Sequence, residues 1–252
     1  MASIDLNSDL GEAVGDRVVG DDEAMFPLIT SANVACGFHA GDAAVMRASA
    51  ERSVVHGVVL GAHPGYRDPA GFGRRELEVP PATIAAELLA QLRALEEAAR
   101  ETGARIRYVK AHGALYHRLG VDDDAAAAYV DAVAAFDPGL TLLGAPATAL
   151  ERRALAAGLR FAREAFADRG YLPDGRLVPR GEPGAVWTDP SAVADRAVEL
   201  ATTGTVRAAD GTVVVLGPDS LCLHGDTPGA VELARRVREA LAGAGVEVRA
   251  FA

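Results

Sequence analysis

Short apolar runs alternate with helix-period stretches along nearly the whole chain, the pattern of repeated βα units around a parallel sheet. The apolar runs predict strands at Ile4–Leu6, Ala32–Cys36, Val58–Ala62, Ile106–Lys110, Leu140–Gly144, Arg160–Glu164, Leu221–His224 and Val246–Phe251. Several are too short and continuous to show a two-residue period, as expected when both faces of a strand are buried. Asp42 can cap a helix that ends at Gly57. Pro80-Pro81 leads into a long helix with Ile84, Leu88, Leu92 and Leu95 on one face, stopped by Gly103. Thr227-Pro228 predicts the cap and first turn of a helix running through Val231 and Val237 to Leu241 and breaking at Gly243. Two stretches depart from the alternation. Residues 165–188 are rich in Gly, Pro and charge, and residues 205–215 read as a hairpin around Asp210-Gly211. Seven or eight strands in this order predict a single α/β domain over residues 1–252. A distorted (β/α)7–8 TIM-like barrel is favoured, with an open doubly wound sheet as the alternative.

Composition narrows the function classes. Half of the 252 residues are hydrophobic, enough for a substantial core, and the formal charge of −10 argues against nucleic acid or anionic membrane as the main partner. The two cysteines, Cys36 and Cys222, have no CxxC spacing, so unpaired thiols in a reducing compartment are expected. With no signal peptide and no apolar stretch approaching ~18 residues, a cytoplasmic location is expected. Among 25 basic residues, Lys110 is the sole lysine. In so arginine-biased a chain, it points to a position where a compact ammonium serves and a guanidinium will not, chance survival being the alternative.

Polar groups collect at the carboxyl ends of the predicted strands. The first runs into Asn7, Asp9 and Glu12; the second gives Asn33, His39 and Asp42; the third gives His63 and Tyr66. The fourth gives Lys110, His112 and Tyr116, the sixth is followed by Asp168, Arg169 and Tyr171, and the seventh by His224 and Asp226. Four histidines (His39, His63, His112 and His224) follow an apolar run with glycine one or two residues later. In a β/α barrel those ends share one face, where the active site is assembled. Each residue also has a duller role. Asp42 can be only a helix cap, Asp226 can favour a helix dipole, and Tyr66, Phe72 and Tyr116 can simply pack. Arg74-Arg75 is either a solvated loop feature or a clamp for an anionic group.

Several chemistries are excluded by pattern. The chain has no GxxxxGK[ST] phosphate loop, no GxGxxG opening a helix after a strand, and no GxSxG elbow. Cys36 reads as a buried structural thiol. A His/Asp/Glu/Lys pocket remains, suited to acid–base hydrolysis of a C–N bond with or without a metal. Asp9, His63 and His112 are the natural ligand trio if a metal takes part.

The segments IDLNSDLGE at 4–12, SANVACGFHAGD at 31–42, GAHPGY at 61–66, GFGRR at 71–75, VKAHGALY at 109–116, EAFADRGY at 164–171, DGRLVPRGEPGAV at 174–186 and CLHGDTPGAV at 222–231 follow one another in a recognisable order. The sequence resembles the LamB/YcsF family over nearly its whole length. It departs at Ala111, where proline is usual, at His117, where asparagine is common, and at Trp187. The resemblance implies an irregular barrel of the glycoside hydrolase/deacetylase type. It also implies cleavage of 5-oxo-L-proline to L-glutamate, coupled to hydrolysis of ATP (with Mg2+) in a complex with 5-oxoprolinase subunits B and C. Asp9, Glu12, His39, His63, Lys110, His112, Asp168, Arg169, His224 and Asp226 are then expected at the reaction centre. Asn7, Asn33, Arg74, Tyr116, Tyr171 and Arg180 are expected around substrate or phosphate. Two other readings stay open: a metal-dependent deacetylase or amidase, and a non-catalytic component that binds a small acid. Self-association is also open.

Overall fold

The computed structural model describes residues 2–13, 19–225 and 229–252. Its elements, in chain order, are β1 Ser3–Leu10, α1 Asp22–Met25, β2 Ser31–Ala35, α2 Ala43–His56, β3 Val59–His63, α3 Pro81–Thr102, β4 Tyr108–Val109, α4 Gly113–Val121 and α5 Asp123–Phe136. They continue with β5 Thr141–Gly144, α6 Ala149–Ala156, β6 Arg160–Phe166, α7 Pro190–Thr203, β7 Thr205–Arg207, β8 Val213–Val215, β9 Ser220–His224, α8 Ala230–Gly243 and β10 Glu247–Val248. The strands β1-β2-β3-β4-β5-β6-β9 are all parallel, and β9 pairs back onto β1, so the sheet closes into a seven-stranded barrel. The open-sheet alternative is thereby set aside.

The expected helix punctuation is present at two helices. The Asp42 carboxylate accepts from Val45 N at the start of α2, and Gly57 ends it at φ 65°. Pro81 opens α3, and Gly103 ends it at φ 78°. The third cap differs: α8 begins at Ala230 with Gly229 at its N-cap, and Thr227-Pro228 lie outside the described residues. Residues 205–215 form the antiparallel β7/β8 hairpin.

The expected eighth strand, Val246–Phe251, does not join the barrel. Over Asp5–Asp9 the edge of β1 is already taken by β9, so β10 reaches only Ser3 and Ile4. Beyond it, Phe251 and Ala252 pack against Tyr108, Leu143 and Ala162, with the Tyr108 and Phe251 rings 5.1 Å apart. The C-terminal tail thus closes the end of the barrel opposite the strand carboxyl ends.

The apolar core lies between barrel and helices, where Leu6, Leu60, Val109, Leu142 and Leu221 meet Leu88, Leu92, Leu95, Val133 and Val237. Each such side chain stabilises by roughly 1.5–3 kcal/mol on burial. The barrel interior is different. Side chains alternate along a strand, and in β1 the inward set is Asp5, Asn7 and Asp9, with Ile4, Leu6 and Leu10 facing the helices. Strand β1 therefore does show a two-residue period, and it places carboxylate, amide and carboxylate inside.

Tyr108 fills the space that Gly61 leaves on the neighbouring strand: a Cβ at Gly61 would lie 2.1 Å from Tyr108 Cζ. Because the Tyr108 hydroxyl donates to Asn33 Oδ1 at 2.6 Å, the ring cannot retreat without breaking a buried bond. Gly61→Ala should therefore destabilise the chain by about 3 kcal/mol, the upper range for overpacking, and lower its melting temperature. An unchanged melting temperature would mean that Tyr108 moves freely.

Candidate active site

Buried polar groups are tolerated when each is hydrogen-bonded, and the barrel interior meets this need with a ladder of side chains. At its base, Asp5 accepts from Thr30 Oγ1 and Ser31 Oγ, each at 2.6 Å, and from Ser220 Oγ. Asn7 Nδ2 donates to Ser220 Oγ at 2.7 Å, and Asn33 Nδ2 donates at 2.7 Å to both Asn7 Oδ1 and Asp9 Oδ1. Lys110 Nζ completes the ladder, 2.9 Å from Asp9 Oδ1, 2.8 Å from Glu164 Oε1, 3.3 Å from Asn7 Oδ1 and 3.2 Å from Cys222 Sγ. Burial opposes the charge of Lys110, but Asp9 first, with Glu164 adding to it, holds its pKa well above the ordinary lysine value. Burial likewise opposes ionisation of Asp9, yet His63 and Lys110 keep its carboxyl well below the usual carboxylate range. A guanidinium does not fit among partners spaced for one nitrogen, which accounts for the solitary lysine.

At the barrel mouth the histidines converge. His63 Nε2 stands 2.9 Å from His112 Nδ1 and 3.4 Å from Asp9 Oδ2. His112 lies flat on His39, with ring centroids 3.8 Å apart and planes 3° from parallel. Glu12 Oε1 is 3.3 Å from His112 Nδ1 and 3.5 Å from His39 Nε2. Burial pushes the pKa values of His39 and His112 well below that of an ordinary imidazole, and charge on neighbouring histidines pushes the same way. The ligand atoms of Asp9, His63 and His112 lie within 4.8 Å of one another, as do those of Glu12, His39 and His112, so either set could hold a metal ion. Glycines make this packing feasible. A Cβ at Gly65 would come 2.8 Å from His39 Nδ1, and one at Gly73 would come 2.9 Å from His112 Cδ2.

Across the mouth, His224 Nδ1 donates to Asp168 Oδ2 at 2.8 Å while its ring stacks on Phe166 at 5.3 Å. Burial would raise the pKa of Asp168, but the charge and hydrogen bonds of His224 hold it below the ordinary carboxylate value.

Most of the expected residues thus meet, and a few do not. Arg169 donates to Ala185 O at 2.9 Å and to Val178 O at 2.7 Å, so its guanidinium ties down the 169–187 excursion. Arg196 does the same from outside, donating to Ala167 O and Arg169 O with its guanidinium over Trp187. The Tyr171 hydroxyl accepts from Phe166 N at 2.7 Å, a packing role. Arg180 is exposed on the excursion, and its charge acts on Arg169 and His117. Arg74 is exposed over the Phe72 ring at 4.9 Å, and its charge reaches His39; Arg75 instead pairs with buried Asp68. Tyr116 lies edge-on to Phe166, beside Glu164. Asp42 caps α2, and Asp226 lies outside the described residues. Cys36 is buried with its thiol pushed up to about 12 by burial, as a structural cysteine should be.

Glu164, Asp5, Ser220, Tyr108 and Cys222 join the site without having stood out in the sequence. The signal that marks them is alternation. Glu164 is in phase with Phe166 on β6, and Ser220, Cys222 and His224 are in phase on β9, directly paired with Asp5, Asn7 and Asp9 of β1.

Residues 4–252 match the profile of the LamB/YcsF family. The chain belongs to this family. A Streptomyces avermitilis protein that bears the name of the 5-oxoprolinase A subunit is 56% identical over 249 residues, covering 99% of this chain and all of that one. Its namesake in Nocardia farcinica is 54% identical over 248 residues, covering 98% and 99%. The crystal structure of a lactam utilization protein from Thermus thermophilus superposes with a TM-score of 0.94 at 46% identity, covering 99% of this chain and 100% of that one. A family 4 carbohydrate esterase from Streptomyces lividans shares the fold alone, with a TM-score of 0.54 at 10% identity over 100% and 93% of the two chains. The barrel is thus shared with a carbohydrate esterase and with deacetylases as a fold alone, whereas the family match spans residues 4–252.

The ladder has a measurable electrostatic consequence at its base. Burial pushes the pKa of Asp5 up to about 6 from 3.8, outweighing its three hydroxyl donors, and the charge of Glu164 adds to the rise. The native state therefore holds this proton more tightly than the unfolded chain. The resulting stability is complete below the unfolded value and is lost as pH rises through about 6. The difference amounts to about 3 kcal/mol. In denaturant titrations, Asp5→Asn should gain stability relative to wild type between pH 4 and 7; a pH-independent difference would show that Asp5 is not perturbed.

Proposed function

We propose that this chain is the ring-opening component of an ATP-dependent 5-oxoprolinase, converting 5-oxo-L-proline to L-glutamate together with B and C subunits. The carrying observation is the pairing of a buried Asp168–His224 dyad with the Lys110–Asp9 ion pair across one barrel mouth. Relatives above 50% identity over their whole length are named for the A subunit of 5-oxoprolinase, which supports the same reading.

A lactam carbonyl is a poor electrophile, so coupling to ATP makes physical sense if the partner subunits first phosphorylate its oxygen. This chain then adds water to the activated carbon. His224, held by Asp168 with Nδ1 as donor, takes a proton from the attacking water at Nε2. The C–N bond breaks as that proton passes to the departing ring nitrogen, leaving an acyl phosphate, and a second water hydrolyses this to the glutamate carboxylate and inorganic phosphate. Asp9 is too weak a base to compete, since its charge is held by Lys110 and His63. With 13% of its side chain exposed, it can accept from the ring N–H or the new ammonium. Arg74, exposed over Phe72 beside the histidines, would contribute positive charge toward the phosphate.

Glutamate release from 5-oxo-L-proline and ATP by the chain with its B and C subunits tests this reading. Asp168→Asn and His224→Gln should each lower turnover about 10²-fold or more while leaving assembly intact. Full turnover in either variant would remove His224 from the mechanism, and glutamate formation by the isolated chain would contradict the division of labour.

A further inference from the structure

His63 Nδ1 lies 2.9 Å from Lys110 O, and His112 Nε2 lies 2.8 Å from Phe72 O. A carbonyl oxygen only accepts, so both of these nitrogens carry hydrogen. In a neutral imidazole the other nitrogen is then bare. Those bare nitrogens, His63 Nε2 and His112 Nδ1, face each other at 2.9 Å. With both rings neutral, two lone pairs meet at that distance and repel, and carboxylate oxygens surround them: Asp9 Oδ2 at 3.4 Å from the first, Glu12 Oε1 at 3.3 Å from the second. His39 stands beside them fully buried, with neither ring nitrogen hydrogen-bonded among the described residues. Acceptors gathered in this way need a positive charge between them.

We infer that this cluster is a binding site for one divalent transition-metal ion, held by Asp9, His63 Nε2 and His112 Nδ1, with Glu12 and His39 in reach to complete the coordination. Distances separate this reading from a shared proton. A proton shared at the 2.9 Å His63–His112 contact would leave the carboxylates unbridged, because charge-assisted hydrogen bonds from imidazolium to carboxylate run at about 2.7–2.9 Å, shorter than the contacts of 3.3, 3.4 and 3.5 Å seen here. An ion about 2.0–2.2 Å from each ligand sets neighbouring ligand atoms about 2.9–3.5 Å apart, and the His63–His112 and His63–Asp9 separations of 2.9 and 3.4 Å fall in that range. The carbonyl partners of His63 and His112 fix the tautomer that presents a lone pair to a metal. Imidazole and carboxylate donors suit zinc, manganese or iron more than magnesium or calcium. A competing set, Asp9, Cys222 and His224, also falls within 4.8 Å, but Cys222 Sγ lies 3.2 Å from the Lys110 ammonium and His224 Nδ1 is taken by Asp168.

Ion binding is a property of the chain alone, so its failure would leave the lactam reading standing, and loss of turnover would not decide it. The chain should be stripped with chelator and titrated with Zn2+, Mn2+ and Co2+ by calorimetry, with bound metal measured by mass spectrometry. Wild type and the exposed-site control His117→Asn should bind about one equivalent. The variants His63→Gln and His112→Gln should bind at least about tenfold more weakly, with folding checked by circular dichroism. Wild type loaded with Co2+ should give a ligand-field spectrum without a thiolate charge-transfer band, a readout that needs no variant. No binding by folded wild type, equal binding by the histidine variants, or a thiolate band would each overturn the assignment.

Discussion

A buried ammonium is stable only where counter-charges replace the water it gives up, and in this barrel Lys110 is held between Asp9 and Glu164. The need runs both ways, because Asp9 and Glu164 lie on strands from opposite halves of the chain. Without the cation, two carboxylates would face each other inside a closed barrel. Removing one partner of such a buried pair typically costs about 3–5 kcal/mol, comparable to a large part of a domain's net stability. The ammonium therefore fixes where β1, β4, β6 and β9 sit relative to one another. The functional groups at their carboxyl ends follow from that register.

The same constraint links stability to chemistry. With Lys110 in place, Asp9 remains a weakly basic carboxylate at the mouth, and in the proposed ring opening the proton transfer falls to His224 on the far side. The stacked histidines occupy a third sector, closed from behind by Gly65 and Gly73, where a side chain would collide with the rings. One barrel face thus carries an Asp–His dyad from the ends of β6 and β9, a fixed ion pair from β1 and β4, and a ligand-rich cluster from the ends of β1 to β4 that shares Asp9 with the ion pair. Because hydrogen bonds run from Asp9 through Asn33 and Asn7 to Ser220 and Asp5, the polar column extends to the apolar floor formed by Tyr108 and Phe251.

Much of this was legible in the sequence, for identifiable reasons. Strand-end histidines followed by glycine mark the mouth because glycine permits rings to pack face to face, and a lone lysine among arginines marks a site shaped for a single nitrogen. What escaped was set by long-range pairing. The β1–β9 closure joins Asp5 to Ser220, 215 residues apart, and nothing local in Val246–Phe251 says that its place is already taken. Glu164 is hidden because it lies within its strand rather than just beyond it, and that strand reads as a mixed run. Proximity in sequence groups Arg169 and Tyr171 with Asp168. Adjacent residues project in different directions, and both turn back to hold the excursion that follows β6.

Everything here depends on the Lys110 ammonium being locked in its charged form by Asp9 and Glu164. Since the chain has a single lysine, labelling lysine side chains with 15N gives one Nζ resonance whose identity is not in doubt. Its shift should stay at the ammonium position as pH is raised past 10.5, where an ordinary lysine deprotonates, and its hydrogens should exchange slowly. A resonance that titrates at or below that value, or exchanges as fast as a free lysine, would contradict the account.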